Sequence, residues 1–100
     1  MRDLDQIESV RSILRGELPL LADRYGVASL GLFGSTVRGE AHAGSDIDIL
    51  VRFDHTPGLL RFIELENHLT DLLGVRVDLV MADALKPHIG RRIMAEVVPI

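Results

Sequence analysis

The sequence predicts an α/β (α+β) fold in which helices pack on a small mixed three-stranded sheet. Three observations predict it. Short apolar runs bounded by turn residues occur at 27–33, 46–53 and 75–80, each of strand length. An amphipathic stretch of helical period, Leu59 to Leu73, separates the second run from the third, and a crossover of that kind joins parallel strands. Helical spacing also governs the N-terminal segment, so both kinds of element follow one another along 100 residues, the size of a single domain spanning 1–100.

The elements are read in chain order. Asp3 is placed to cap a helix whose apolar residues Leu4, Ile7, Val10, Ile13 and Leu14 recur at helical spacing. Gly16 and Pro19 interrupt the pattern. Pro19 either sits in the first turn of a second helical segment or kinks one long helix, and Gly26 ends the region in both cases. Val27 to Phe33 is a short apolar run ended by glycine, a buried strand. Gly34 to Gly39 has room for one or two helical turns, and the small, polar stretch Glu40 to Ser45 is a loop. Asp46 to Phe53 alternates Asp-Ile-Asp-Ile before turning apolar, a second strand. Thr56-Pro57-Gly58 breaks the chain ahead of the helix Leu59–Leu73, in which Phe62, Leu65, Leu69 and Leu72 form one apolar face and after which Gly74 provides the stop. Val75 to Val80 alternates as a third strand, and the tail from Asp83 is a turn and a short helix with Arg91 and Arg92 on its wet face.

Composition removes several classes of function. With a net charge of -4, one tyrosine, no tryptophan and no polybasic block, the chain lacks the equipment of a direct nucleic-acid binder. No apolar run approaches the roughly 20 residues that span a bilayer, and acids stand where a secretory signal needs an apolar block. A cytoplasmic location is expected. There are no cysteines, so disulfides and thiolate metal sites do not arise. Neither a GxGxxG fingerprint nor a GxxxxGK[ST] loop is present. His42, His55, His68 and His88 are scattered; Glu64 and His68 stand four apart on a helix and read as a solvated face. Tyr25, Phe33 and Phe62 read as core or core edge.

The chemistry lies in a few carboxylates and one glycine. On a strand, Asp46 and Asp48 project to one face with Cα atoms about 6.5 Å apart, close enough to share divalent ions of the kind used in phosphoryl displacement. A lone Asp-x-Asp also describes a solvent-facing strand end. Asp78 stands among Val75, Val77, Leu79 and Val80 in a strand that otherwise reads as buried. It is either the partner of Arg76 at the sheet surface or a third carboxylate in an all-oxygen site, which suits magnesium. Gly34-Ser35 ends the first strand where a short helix begins. Glycine permits close backbone approach, and free N–H groups there favour phosphate; Ser35 also reads as a simple N-cap. These parts meet at one sheet edge only if the first two strands are antiparallel and the third is parallel to the second.

Gly34-Ser35, ten intervening residues and Asp46-Ile47-Asp48 resemble the GS-x10-DxD signature of the polymerase-beta-like nucleotidyltransferases, and Asp78 fits the third carboxylate of their triad. Leu32-Phe33-Gly34-Ser35, Arg38-Gly39-Glu40, Ser45-Asp46-Ile47-Asp48 and the tail from Leu85-Lys86-Pro87 to Val98-Pro99-Ile100 are similar to the minimal nucleotidyltransferases, over nearly the whole chain. The resemblance implies a mixed sheet flanked by helices, two Mg²⁺ ions on Asp46, Asp48 and Asp78, and ATP as donor, its phosphates at Gly34 and Ser35; Arg38 either contacts phosphate as well or is a structural surface residue. It also implies a HEPN-domain RNase toxin as partner in a hetero-oligomer, with AMP transferred to a toxin tyrosine so that the chain acts as antitoxin. Two alternatives follow from the same residues: an antitoxin that neutralises by binding alone, and an adenylyltransferase of small molecules such as antibiotics. The second lacks support in the roughly twenty residues after the last predicted strand, too few for an acceptor-enclosing domain.

Overall fold

A computed structural model describes residues 2–38 and 46–100. The loop expected from Glu40 to Ser45 lies outside the described residues. Helix α1 runs unbroken over Arg2–Tyr25 with Pro19 inside it, so one long helix replaces the alternative of two segments. Its buried residues Val10, Leu14, Leu21 and Tyr25 keep one stripe in phase across the proline. Packing of that stripe outweighs the hydrogen bond that proline removes. Asp3 is already within the helix rather than at its cap.

Strand β1 (Val27–Phe33) leads through Gly34 into the short helix α2 (Ser35–Arg38). Strand β2 (Ile47–Phe53) and helix α3 (Leu59–Leu73) follow. Gly58 precedes α3 and Gly74 closes it in the left-handed conformation, φ 73°, with its N–H donating to the Thr70 carbonyl, a closure open to glycine at little cost. Strand β3 (Val77–Met81) and a 3₁₀ turn (Ala82–Ala84) lead to helix α4 (Pro87–Glu96), opened by its own proline, and to a final short strand β4 (Val98–Pro99).

The sheet order is β3-β2-β1-β4. β1 pairs antiparallel with β2, β2 pairs parallel with β3, and β4 pairs antiparallel with β1. The sheet is thus mixed, as expected, but has four strands rather than three. The added strand places Val98 opposite Leu32 and Pro99 opposite Gly31. Proline is tolerated there because β4 is an edge, where a missing N–H breaks no inner ladder. Helix α3 covers the opposite edge: Thr70 Oγ1 accepts from the Val77 N–H at 3.1 Å and Glu66 Oε2 from the Leu79 N–H at 3.1 Å, which blunts a row of otherwise open donors.

Leu14 and Leu21 of α1, Leu65 and Leu69 of α3, and Val27, Leu32, Ile49 and Val51 of the sheet are fully buried in one cluster. His68 differs from its expected place on a solvated face. It is half-buried, 2.9 Å from Glu17 of α1 and stacked at a tilt on Tyr25 with 5.8 Å between ring centres, and so ties α3 to α1. Among the described residues no helix is long and apolar enough to cross a membrane.

Candidate active site

The antiparallel and parallel registers together bring three chain segments to one end of the sheet. Phe33, the last residue of β1, lies opposite Asp48 of β2, and Asp48 lies beside Asp78 of β3. Neighbouring strands are about 4.8 Å apart, so the two carboxylates stand side by side at the edge of a cleft. That cleft measures about 440 Å³ and is lined by Phe33, Gly34, Arg38, Asp48, Asp78 and one face of α4. Phe33 is therefore a wall of the site as well as a core-edge residue.

Gly34 determines how β1 enters the cleft. Its φ of 75° is left-handed, and its carbonyl accepts from the N–H groups of Val37 and Arg38 at 3.1 Å each. Gly34, not Ser35, therefore caps α2. A Cβ built on Gly34 would sit on the Asp48 carboxylate, 2.8 Å from Cγ. Hence this position needs glycine twice over, for conformation and for the close approach of Asp48.

The backbone donors of the turn both meet carboxylates. The Ser35 N–H donates to Asp48. The Gly34 N–H donates to Glu96 Oε2 at 2.8 Å, and the Arg38 guanidinium reaches both oxygens of Glu96 at 3.1 and 3.2 Å. Asp48 holds its proton more strongly than an ordinary aspartate. Burial is the main cause, and the charges of Asp78 and Asp46 add to it; the Ser35 N–H and the charge of Arg38 oppose the shift. A half-buried carboxylate facing two like charges is a position that a cation would relieve.

Asp46 departs from expectation in detail. Strand pairing starts at Ile47, whose N–H donates to the Arg76 carbonyl at 2.9 Å, and Asp46 stands exposed one residue before it. Its charge nevertheless reaches Asp48. Among the described residues no ion pair joins Asp78 to Arg76. Nor does any group of three or more His, Cys, Asp or Glu close around a metal position there.

Sequence reasoning missed the contribution of α4. Ile89, Arg92, Ile93 and Glu96 all line the cleft, and their spacing of three, one and three is that of a single helix face. Arg92 is exposed as expected, yet its wet face is the wall of the cleft. The helical spacing was a visible signal, but nothing in it said which surface the face would meet.

Three comparisons bear on this geometry. The model of the nucleotidyltransferase domain family matches residues 14–100. The protein adenylyltransferase MntA of Thermococcus cleftensis is 52% identical over 92 residues, covering 92% of this chain and 93% of that protein. Among solved structures, a chain assigned as a minimal nucleotidyltransferase superposes with a TM-score of 0.79 at 39% identity, covering 93% of this chain and 94% of its own. A toxin–antitoxin crystallised with AMP-PNP superposes with a TM-score of 0.70 at 29% identity, covering 82% of this chain and 67% of its own.

Proposed function

The chain belongs to the nucleotidyltransferase domain family, and on that premise we propose that it transfers AMP from ATP, with Mg²⁺, to a tyrosine hydroxyl of a HEPN-domain RNase toxin and so acts as its antitoxin. The observation that carries this reading is the convergence of Gly34 and Arg38 with the paired carboxylates Asp48 and Asp78 on one cleft, with the Ser35 N–H held against Asp48 behind them. A protein acceptor and a toxin partner are supported by relatives, a protein adenylyltransferase named MntA and a toxin–antitoxin crystallised with AMP-PNP; the HEPN domain of the toxin and its tyrosine follow from the family resemblance of the motif residues.

Each residue has a role that its position allows. Gly34 and Arg38 bind the triphosphate through a backbone N–H and a guanidinium, with the Ser35 hydroxyl beside them, a fit for phosphate oxygens. Asp46, Asp48 and Asp78 offer only hard carboxylate oxygens, which suits Mg²⁺; when bound, the metal neutralises phosphate charge and steadies the attacking and leaving oxygens. In the transfer, the acceptor oxygen forms a bond to the α-phosphorus while the bond from that phosphorus to the pyrophosphate oxygen breaks. The hydroxyl proton passes to the carboxylate of Asp78, which is exposed at the cleft edge and open to an incoming protein surface. Orientation of the two reactants supplies much of the rate.

A thermal measurement tests the donor site without an acceptor. A ligand that binds only the folded form at a hundredfold excess over its dissociation constant adds about 2.7 kcal/mol, and each kcal/mol moves the melting point of a domain this size by about 4–8 °C. Mg²⁺ with ATP should therefore raise the melting temperature by several degrees or more, and clearly more than either alone at matched ionic strength. Asp78→Asn should blunt that shift. A wild-type melting point indifferent to millimolar Mg²⁺–ATP contradicts the assignment.

A further inference from the structure

The position of Glu96 has no place in the transfer chemistry, yet it holds the donors assigned to the triphosphate. Its Oε2 takes the Gly34 N–H at 2.8 Å, and the Arg38 guanidinium lies 3.1 Å from Oε1 and 3.2 Å from Oε2. A carboxylate bridging a backbone N–H and a guanidinium makes the same contacts as a phosphate with two of its oxygens. The side chain is mostly shielded, with 27% of its surface exposed, and it lines the cleft with Asp48 and Asp78. Glu96 and a phosphate cannot occupy the same donors together, and their like charges repel at that distance.

We infer that Glu96 is an internal competitor of the donor's phosphates, a carboxylate that fills the cradle between turnovers and sets the affinity for nucleotide and the release of pyrophosphate. This rests on the assignment of Gly34 and Arg38 to the triphosphate. The covalent setting makes the competitor effective. Glu96 is the last residue of α4 and stands two residues before Val98, which pairs with Leu32 of β1. The Ile100 N–H then donates to the Leu30 carbonyl at 3.1 Å, and the Pro99 carbonyl accepts from Arg11 at 3.1 Å. The tail is thereby fastened just beyond the carboxylate, which keeps its local concentration at the cradle high. A nucleotide must bind the fraction of molecules in which Glu96 has swung away, so its apparent affinity falls by that fraction. As pyrophosphate departs, the carboxylate returns to the vacated donors and opposes its rebinding. The same contacts keep the turn formed when nucleotide is absent, since Gly34 and Arg38 retain partners throughout.

Calorimetric titration of Mg²⁺–AMP-PNP into the wild type, Glu96→Gln and Glu96→Ala measures the competition directly. Glutamine keeps an acceptor for the Gly34 N–H but loses the charge facing Arg38; alanine loses both. The expected order of affinity is alanine, then glutamine, then wild type, with the alanine variant roughly three- to tenfold tighter than wild type, as for loss of a charge-assisted competitor. In the wild type, the Gly34 amide proton resonance should also move when Mg²⁺–AMP-PNP is added, because that N–H exchanges a carboxylate for a phosphate. Nearly isosteric glutamine preserves the test if alanine perturbs folding. Wild-type binding with equal or weaker binding by the variants overturns the inference and leaves the donor site standing; Glu96 would then merely position Arg38. Absence of binding in all three proteins overturns the donor assignment and the inference with it.

Discussion

Asp48→Asn is expected to lower AMP transfer by at least a hundredfold while leaving the fold intact. Asp48 sits where three contacts of the site cross: beside Asp78 in the parallel register, opposite Phe33 in the antiparallel one, and under the Ser35 N–H. Changing a residue that merely supports a metal ligand typically costs about 10–100-fold in affinity or activity, so removal of a ligand itself should exceed that range. Stability should move the other way. Burial and the neighbouring carboxylates raise the proton affinity of Asp48 in the folded state. Its ionised form therefore opposes folding once the pH is above the folded value, and the penalty vanishes below the ordinary carboxylate range, where the group is protonated in both states. Asparagine can still accept from Ser35 and carries no charge. Near neutral pH and without metal, the variant should melt at or above the wild-type temperature, and the difference should vanish in acid. Thermal melts across pH, paired with a transfer assay, check both halves. Wild-type transfer by Asp48→Asn, or by the double variant Asp46→Asn, Asp48→Asn, sinks the assigned site.

Gly34→Ala should be the most damaging glycine-to-alanine change among the described residues. Left-handed backbone costs a residue with a Cβ roughly 1–2 kcal/mol, and Gly34 has φ 75°. The new Cβ would also lie 2.8 Å from Asp48 Cγ, and Asp48 has little freedom to retreat because the Ser35 N–H holds it. Overpacking of that kind adds roughly 1–3 kcal/mol. Together these give a loss of about 2–5 kcal/mol, a fall in melting temperature of ten degrees or more by the usual scaling for a small domain. Below the melting transition the variant should bind Mg²⁺–ATP at least tenfold more weakly, since the turn that presents the N–H groups is displaced. Ser35→Ala is the informative contrast. The Ser35 contact to Asp48 comes from its backbone N–H, so loss of the hydroxyl should leave stability close to wild type and weaken binding less. Calorimetry and melting of both variants separate the two; an unchanged ATP affinity in Gly34→Ala rules out the cradle.

What was legible in the sequence follows from how local each signal is. The helix Leu59–Leu73 has the predicted bounds because its apolar spacing, the preceding Gly58 and the closing Gly74 all act within a few residues. Val27–Phe33 is likewise a short apolar run with glycine at each end, and its bounds were readable. Gly34 stands out in the sequence at the end of an apolar run, and Asp48 and Asp78 as carboxylates within strands that otherwise read as apolar; the strand directions that bring the three together follow from the loop and crossover between them. Strand β4 was not legible. It is two residues long and contains Pro99, and only its distant pairing with Leu32 and Gly31 makes it a strand. The continuity of α1 through Pro19 was open for a related reason, since the packing that holds it is tertiary. Glu96 was missed because its contacts are 58 to 62 residues away in sequence; no local pattern marks a carboxylate that will meet a glycine N–H across the fold.

The reaction itself is the most direct test of the central claim. The protein should be incubated with labelled ATP, Mg²⁺ and a HEPN-domain toxin as partner, and the intact masses of both chains measured. The predicted result is a gain of one or more AMP units on the toxin, located on a tyrosine, and absent when Mg²⁺ is omitted or when Asp48→Asn replaces the wild type. A toxin that is neutralised by the wild-type protein while its mass remains unchanged would contradict the account and leave binding alone as the antitoxin's means of action.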